Sequence, residues 1–331
     1  MRCLVTGGAG FIGSHLTEYL LAEGNEVVVL DDLSSGSLEN LSQVIDHPAL
    51  TLVVGSVGDR SVAEQASVGC QEIYHLAACV GVKMILSDPA RSMCSNVDGA
   101  RTIIEVAHST KARLFYASSS EVYGRCASGK ALREDDDDCY RWSQSLRWSY
   151  ASAKAFGEYL ARAYAQTSGS SVVIGRLFNV AGPRQSGRYG MVIPRFIDQA
   201  LSGKPITVYG TGQHRRSFTH VADTVHAIVN LTRSDKAAGE IVNIASTNAI
   251  SISELAQMVK HLLNSDSEIV HLETGSVYGD DFDDAMYRVA DTGKMRSLIG
   301  FMPETDIPTI IRSAALNTAI NVDVLNTIVA D

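Results

Sequence analysis

The sequence lacks most of the markers of a metal, membrane or nucleic-acid protein. None of the six cysteines, at 3, 70, 79, 94, 126 and 139, forms a C-x-x-C pair or a zinc spacing. They read as reduced, mostly structural thiols of a cytoplasmic protein. Nine histidines form no ligand-like cluster; His15 falls on a helical stretch and His75 at a strand end. No metal is expected. Positive charge is scarce: the net charge of −9 argues against nucleic acid, while a local basic pocket for a diphosphate stays compatible. No apolar run approaches the roughly 18 residues of a membrane helix, so no membrane partner is expected. The first strand begins at residue 2, which leaves no room for a signal peptide.

The 331 residues, 45% of them apolar, suffice for more than one core. Strands are expected near 2–6, 26–30, 50–54, 72–76, 113–117 and 172–176, with helices near 13–23, 91–108 and 149–167 between them. That alternation predicts an α/β fold with a doubly wound parallel sheet. Beyond Asn179 the texture changes: Gly182, Pro183, Gly187, Gly190 and Pro194 punctuate a loop and shorter elements follow. No repeat or flexible linker is visible. A smaller C-terminal α/β domain is expected to pack directly on the first, with a cleft between them. Residues 1–178 plus about 217–260 are assigned to the first domain; 179–216 and 261–331 are assigned to the second. The acidic run Glu134–Asp138 reads as a solvated loop. It lies in the long 124–147 connection, where Arg141, Trp142, Arg147 and Trp148 stand close to the expected site.

Three motifs carry chemistry. First, the strand 2–6 runs into Gly7-Gly8-Ala9-Gly10-Phe11-Ile12-Gly13 and then a helix. Such a turn lets backbone amides and a helix N-terminus approach a pyrophosphate. The next strand ends at Asp31, 18 residues after Gly13. A carboxylate there accepts hydrogen bonds from an adenosine ribose, and Asp32 beside it would repel a 2′-phosphate, which favours NAD over NADP. Second, Ser118-Ser119-Ser120-Glu121 follows the strand at 113–117, where side chains face the crevice of a doubly wound sheet. Third, Tyr150 and Lys154 stand four residues apart, on one face of a helix. A phenol is a poor base at neutral pH. A neighbouring ammonium and a cationic nicotinamide ring would stabilise its anion.

With these motifs stand Tyr74-His75-Leu76-Ala77-Ala78, Asn96, Arg176-Leu177-Phe178-Asn179, Gly182-Pro183-Arg184, Arg216-Ser217-Phe218 and Arg288-Val289-Ala290-Asp291. Together they resemble the extended short-chain dehydrogenase/reductases, in the branch of NAD-dependent nucleotide-sugar epimerases, decarboxylases and dehydratases. The resemblance spans nearly the whole chain and is nearest to UDP-glucuronate decarboxylase-like members. It implies a cofactor site made by Gly7, Gly10, Phe11, Ile12 and Gly13, by Asp31, Asp32 and Ser35, and by Ser56 and Val57. Leu76, Ala77, Ala78, Lys83, Asn96, Tyr150 and Lys154 complete that site. Gly55-Ser56 replaces the Gly-Asp of many relatives, so the adenine contact is expected to be weaker. Ser119, Ser120, Asn179, Arg184, Arg216 and Arg288 are implied on the substrate side, with UDP as the nucleotide. A homodimer through the helices carrying Arg101 and Ala155 is also implied.

The resemblance further implies a shared first step. Tyr150 takes a proton from the sugar 4-hydroxyl, Ser119 bridges, and Lys154 supports the phenolate. The subtype turns on Ser120 and Glu121. Dehydratases of this branch carry Asp-Glu there, so Ser120 leaves no acid for a departing 6-hydroxyl. Ser119-Ser120-Glu121 resembles the decarboxylases, in which a 4-keto uronate loses CO₂ as a β-keto acid. A UDP-glucose or UDP-glucuronate 4-epimerase is the alternative, and an inactive NAD(H)-binding sensor or scaffold a second.

Overall fold

Runs such as Val27–Leu30 are apolar without interruption, the pattern of a strand buried on both faces. In the computed structural model, which describes residues 1–125, 129–140, 145–278, 282 and 284–318, they build a parallel seven-stranded sheet. Its strands are β1 (Arg2–Thr6), β2 (Glu26–Asp31), β3 (Leu50–Val54), β4 (Glu72–His75), β5 (Arg113–Ser119) and β6 (Val172–Leu177), with a last strand at Ile241–Ile244. The spatial order is Ile241–Ile244, β6, β5, β4, β1, β2, β3. Strand order reverses between β1 and β4, so a crevice opens at their C-terminal ends.

Alternate side chains feed two cores, as the period of a strand demands. Val27 and Val29 join Leu16, Leu20, Val225 and Ile228 on one face. Val28 and Leu30 join Ile73, Ile103, Ile104 and Ile174 on the other. Helices Phe11–Ala22 and Val221–Arg233 cover the first face, and Pro89–Thr110 and Ser149–Ser168 the second.

A second body has its own core, with Phe196, Ile197, Val208, Leu255, Val259, Ile310 and Ile311 at its centre. Two elements depart from the expected domain division. Helix Ile252–Leu262, fixed by a Ser251–Glu254 capping box, buries Leu255, Ala256 and Val259 in the second core rather than the first. Helix Gly293–Ile299 does the reverse, sending Met295 into the first. Both helices pack wherever their apolar side finds a partner, which chain order does not dictate.

Candidate active site

The glycine turn is built as a cradle. Gly7 has φ +73°, and a Cβ there would lie 2.7 Å from the Ala77 amide nitrogen. A Cβ on Gly13 would lie 2.1 Å from the Gly7 carbonyl oxygen, so only glycine lets the helix start this close to β1. The Phe11–Ala22 helix begins at Gly10 with no side-chain cap, and its first-turn residues line the cleft. Asp31 is pinned by N–H donors from Ala9 and Leu33, each at 2.9 Å.

A cavity of about 690 Å³ runs from this turn between the two bodies. The glycine turn, Asp31, Asp32, Ser35, Ser56, Val57 and Leu76–Ala78 line one end. Ser119, Ser120, Glu121, Tyr150, Lys154, Asn179, Arg184 and Arg288 line the rest. A close-packed glycine cradle, an open helix N-terminus and a carboxylate at the end of β2 fit a dinucleotide. Asn96 stands outside the lining: its amide grips both backbone groups of Cys79, at 2.7 and 3.1 Å, and so holds the loop after β4. The side chain of Lys83 and residues Arg141 and Trp142 lie outside the described set. A second hollow, of about 770 Å³, is lined by Arg133, Asp135, Glu240 and Lys294 among others. Its charges pair with one another, Arg133 with Asp135 and Lys294 with Glu240, and it holds none of these groups.

At the end of β5 the Ser119 hydroxyl caps the turn carrying Glu121, accepting from the Glu121 amide at 3.2 Å. Lys154 donates to the Ala117 carbonyl at 2.7 Å and stands 5.9 Å from the centre of the Tyr150 ring. Burial brings the Lys154 ammonium down to about 8. Burial, and then the charge of Glu121, push the Tyr150 phenol well above its usual value, against a lowering hydrogen bond from Ser119. The protein by itself therefore keeps Tyr150 neutral at pH 7. A cationic nicotinamide ring beside it would add to the Lys154 charge in releasing its proton.

Five charged groups close the sugar end. Arg147 grips Glu121 with both terminal nitrogens, at 2.5 and 2.9 Å. Arg288 reaches Glu121 at 3.3 Å and Asp284 at 3.1 Å. Arg216 pairs with Asp284 at 2.9 Å and stands behind the cleft wall. Burial would raise the Glu121 carboxyl, but Arg147 and Arg288 outweigh it and hold it below its usual range. The same arginines, with Arg216, keep Asp284 ionised against its burial. Desolvation brings Arg216 down to about 10.

Asn179 spends its amide on the Ser217 carbonyl, at 2.9 Å. The Arg184 guanidinium is taken up by Glu18, by the Asn40 carbonyl and by His15. Sequence reasoning missed Asp284, although its place four residues before Arg288 was a readable signal. It also missed Glu158, which accepts from Ser118 at 2.5 Å and holds Arg176 with both oxygens, buttressing the end of β5. Among the described residues no group of His, Cys, Asp and Glu is arranged for a metal, and no helix is long and apolar enough to cross a membrane.

Comparison with known proteins places this arrangement among relatives. The model of the "NAD dependent epimerase/dehydratase family" matches residues 3–245. The chain is 38% identical to a UDP-N-acetyl-alpha-D-glucosaminuronate decarboxylase of Bacillus cytotoxicus, over 91% of this chain and 92% of that one. It is 33% identical to UDP-glucuronic acid decarboxylase 1 of Xenopus tropicalis, over 91% of this chain and 68% of the other. The crystal structure of dTDP-glucose 4,6-dehydratase from Bacillus anthracis in complex with NAD superposes with a TM-score of 0.85 at 26% identity, covering 98% of each chain.

Proposed function

This chain belongs to the NAD-dependent epimerase/dehydratase family, and we propose that within it the protein decarboxylates a UDP-linked uronate, with UDP-glucuronate the first candidate. The observation that carries the reading is the charge cluster at the sugar end. Arg147, Arg216 and Arg288 converge there on Glu121 and Asp284. They gather guanidinium donors at the sugar end, and Arg288 lies on the cleft lining itself. A substrate carboxylate would find charge-assisted donors there, which a neutral hydroxymethyl group would use less well.

NAD, the cofactor of this fold, supplies the hydride acceptor for sugar C4 when bound. The chain's own groups do the rest. Tyr150 takes the proton of the 4-hydroxyl, and Ser119 bridges that hydroxyl and the phenolic oxygen. Lys154, fixed on the Ala117 carbonyl, keeps a positive charge near the phenolate. Arg288, which lines the cleft, would bind the charged groups of the nucleotide sugar. Arg147 holds Glu121 ionised and in place. Ser120 offers no carboxylic acid, which disfavours loss of a 6-hydroxyl.

The relative at 38% identity suggests a second sugar, the 2-acetamido uronate. The test uses both UDP-uronates labelled at C6. Label leaving as CO₂ supports decarboxylation. Label retained in a 4-epimer would establish the epimerase reading, which Ser119, Tyr150 and Lys154 alone could serve. Turnover of neither, and none of UDP-glucose, in protein that carries NAD would leave the sensor or scaffold.

A further inference from the structure

Arg184 occupies an unusual position. Its backbone has φ +69°, in the left-handed region that disfavours a long side chain. Glycine would relieve that strain, so the side chain is what the position needs. It follows Gly182-Pro183, where the chain has left β6 for the second body. From there the guanidinium reaches across to the first domain. Its terminal nitrogens bind the two carboxylate oxygens of Glu18, on the Phe11–Ala22 helix, at 2.6 and 2.7 Å. One also donates to the Asn40 carbonyl at 2.7 Å, and the other to His15 Nδ1 at 2.7 Å. His15 Nε2–H in turn donates to the Pro183 carbonyl at 3.0 Å. Asn40 continues the chain of contacts inward, its amide donating to the carbonyl of Ala9 within the glycine turn, at 2.8 Å.

The contacts therefore join the two walls of the cleft at its dinucleotide end. Asn40 and the glycine turn line one wall; Val180, Arg184 and Ser186 line the other. The pair is bidentate and charge-assisted, the strongest kind of side-chain link available. We infer that Arg184 is a positioning residue for the cofactor, a strap across the cleft mouth that sets the rate at which NAD enters and leaves. The inference rests on NAD being the cofactor. A redox-neutral reaction has a use for it, because NAD released in its reduced form would end turnover with the sugar still oxidised.

A strap makes a kinetic signature that a merely structural contact does not. Opening it speeds entry as well as exit, so both rate constants rise and the dissociation constant moves less than either. The experiment loads purified holoenzyme with isotopically labelled NAD⁺ and follows its exchange against unlabelled NAD⁺; association is followed separately on nucleotide-stripped protein. Arg184→Ala and Glu18→Gln are each expected to raise both rates about tenfold or more, the scale of losing a charge-assisted hydrogen bond. Arg184→Lys, which keeps the charge and loses the fork, falls between. Arg60→Ala, which removes an exposed pair with Glu64 and Glu105 elsewhere, is the control and leaves both rates unchanged. If Arg184→Ala fails to fold, Glu18→Gln and Arg184→Lys carry the same readings. Exchange within about twofold of the parent overturns the strap, as does faster release with unchanged association. Protein that binds no NAD at all overturns it together with the cofactor assignment.

Discussion

Arg147 holds Glu121 by both of its terminal guanidinium nitrogens, 26 residues away in sequence and with the arginine side chain almost wholly buried. The carboxylate is thereby held in its ionised form. It stands on the cleft lining at the sugar end, with its charge met by Arg147 and Arg288.

Glu121→Gln is expected to slow turnover of UDP-glucuronate about tenfold or more, an effect of about 1.4 kcal/mol on the barrier. Arg147→Met should do at least as much, because it leaves a buried carboxylate with less compensation. Steady-state rates with CO₂ release as the readout decide this. Full activity in both variants would remove the pair from the reaction.

Tyr150→Phe is expected to abolish nearly all turnover, by about a hundredfold or more, while UDP-sugar affinity stays within a few-fold. Calorimetry and single-turnover rates together check it. A variant retaining more than about a tenth of the rate would mean that another group takes the proton.

Arg288→Ala should raise KM for the nucleotide sugar about 10- to 100-fold, since Arg288 lines the cleft. Arg216→Ala should raise KM less, because Arg216 stands behind the wall and acts through Asp284. Equal effects on KM would place both arginines on the substrate.

The buried Lys154 gives a pH dependence of stability with a definite sign. Its value falls to about 8 in the folded protein, against about 10.4 for an unperturbed lysine. Between those values the unfolded chain binds more protons than the folded one, so this group makes stability rise with pH across that window. Below about 8 both states are protonated and the cost of burying the charge is at its full size. Lys154→Met should flatten the rise in Tm of the cofactor-free protein between about pH 8 and 10. An unchanged slope would mean that Lys154 is not desolvated as described.

Pairing of two copies through the Pro89–Thr110 and Ser149–Ser168 helices is the expected assembly. These helices leave Met93, Phe156 and Tyr159 exposed, Tyr159 by 72%. Tyr159→Glu with Phe156→Glu should yield a monomer by light scattering, with the fold intact by circular dichroism. A double variant of parental mass would put any interface elsewhere.

The sequence by itself determined the sheet, the glycine cradle and the Tyr150 and Lys154 pair. Each is a local pattern: an apolar run, a spacing of glycines, a four-residue offset on one helix face. Their chemistry is written in neighbours a few residues apart. Tertiary structure alone decided which charges meet. Glu121 and Arg147 lie 26 residues apart in the first body, and the Asp284 and Arg288 stretch meets them only because the second body folds over the first. Arg184 and Glu18 lie 166 residues apart, and nothing in either neighbourhood announces the other. The same holds for helices Ile252–Leu262 and Gly293–Ile299, whose cores were settled by the nearest apolar surface. Long-range ion pairs carry no periodicity, so only the packed chain reveals them.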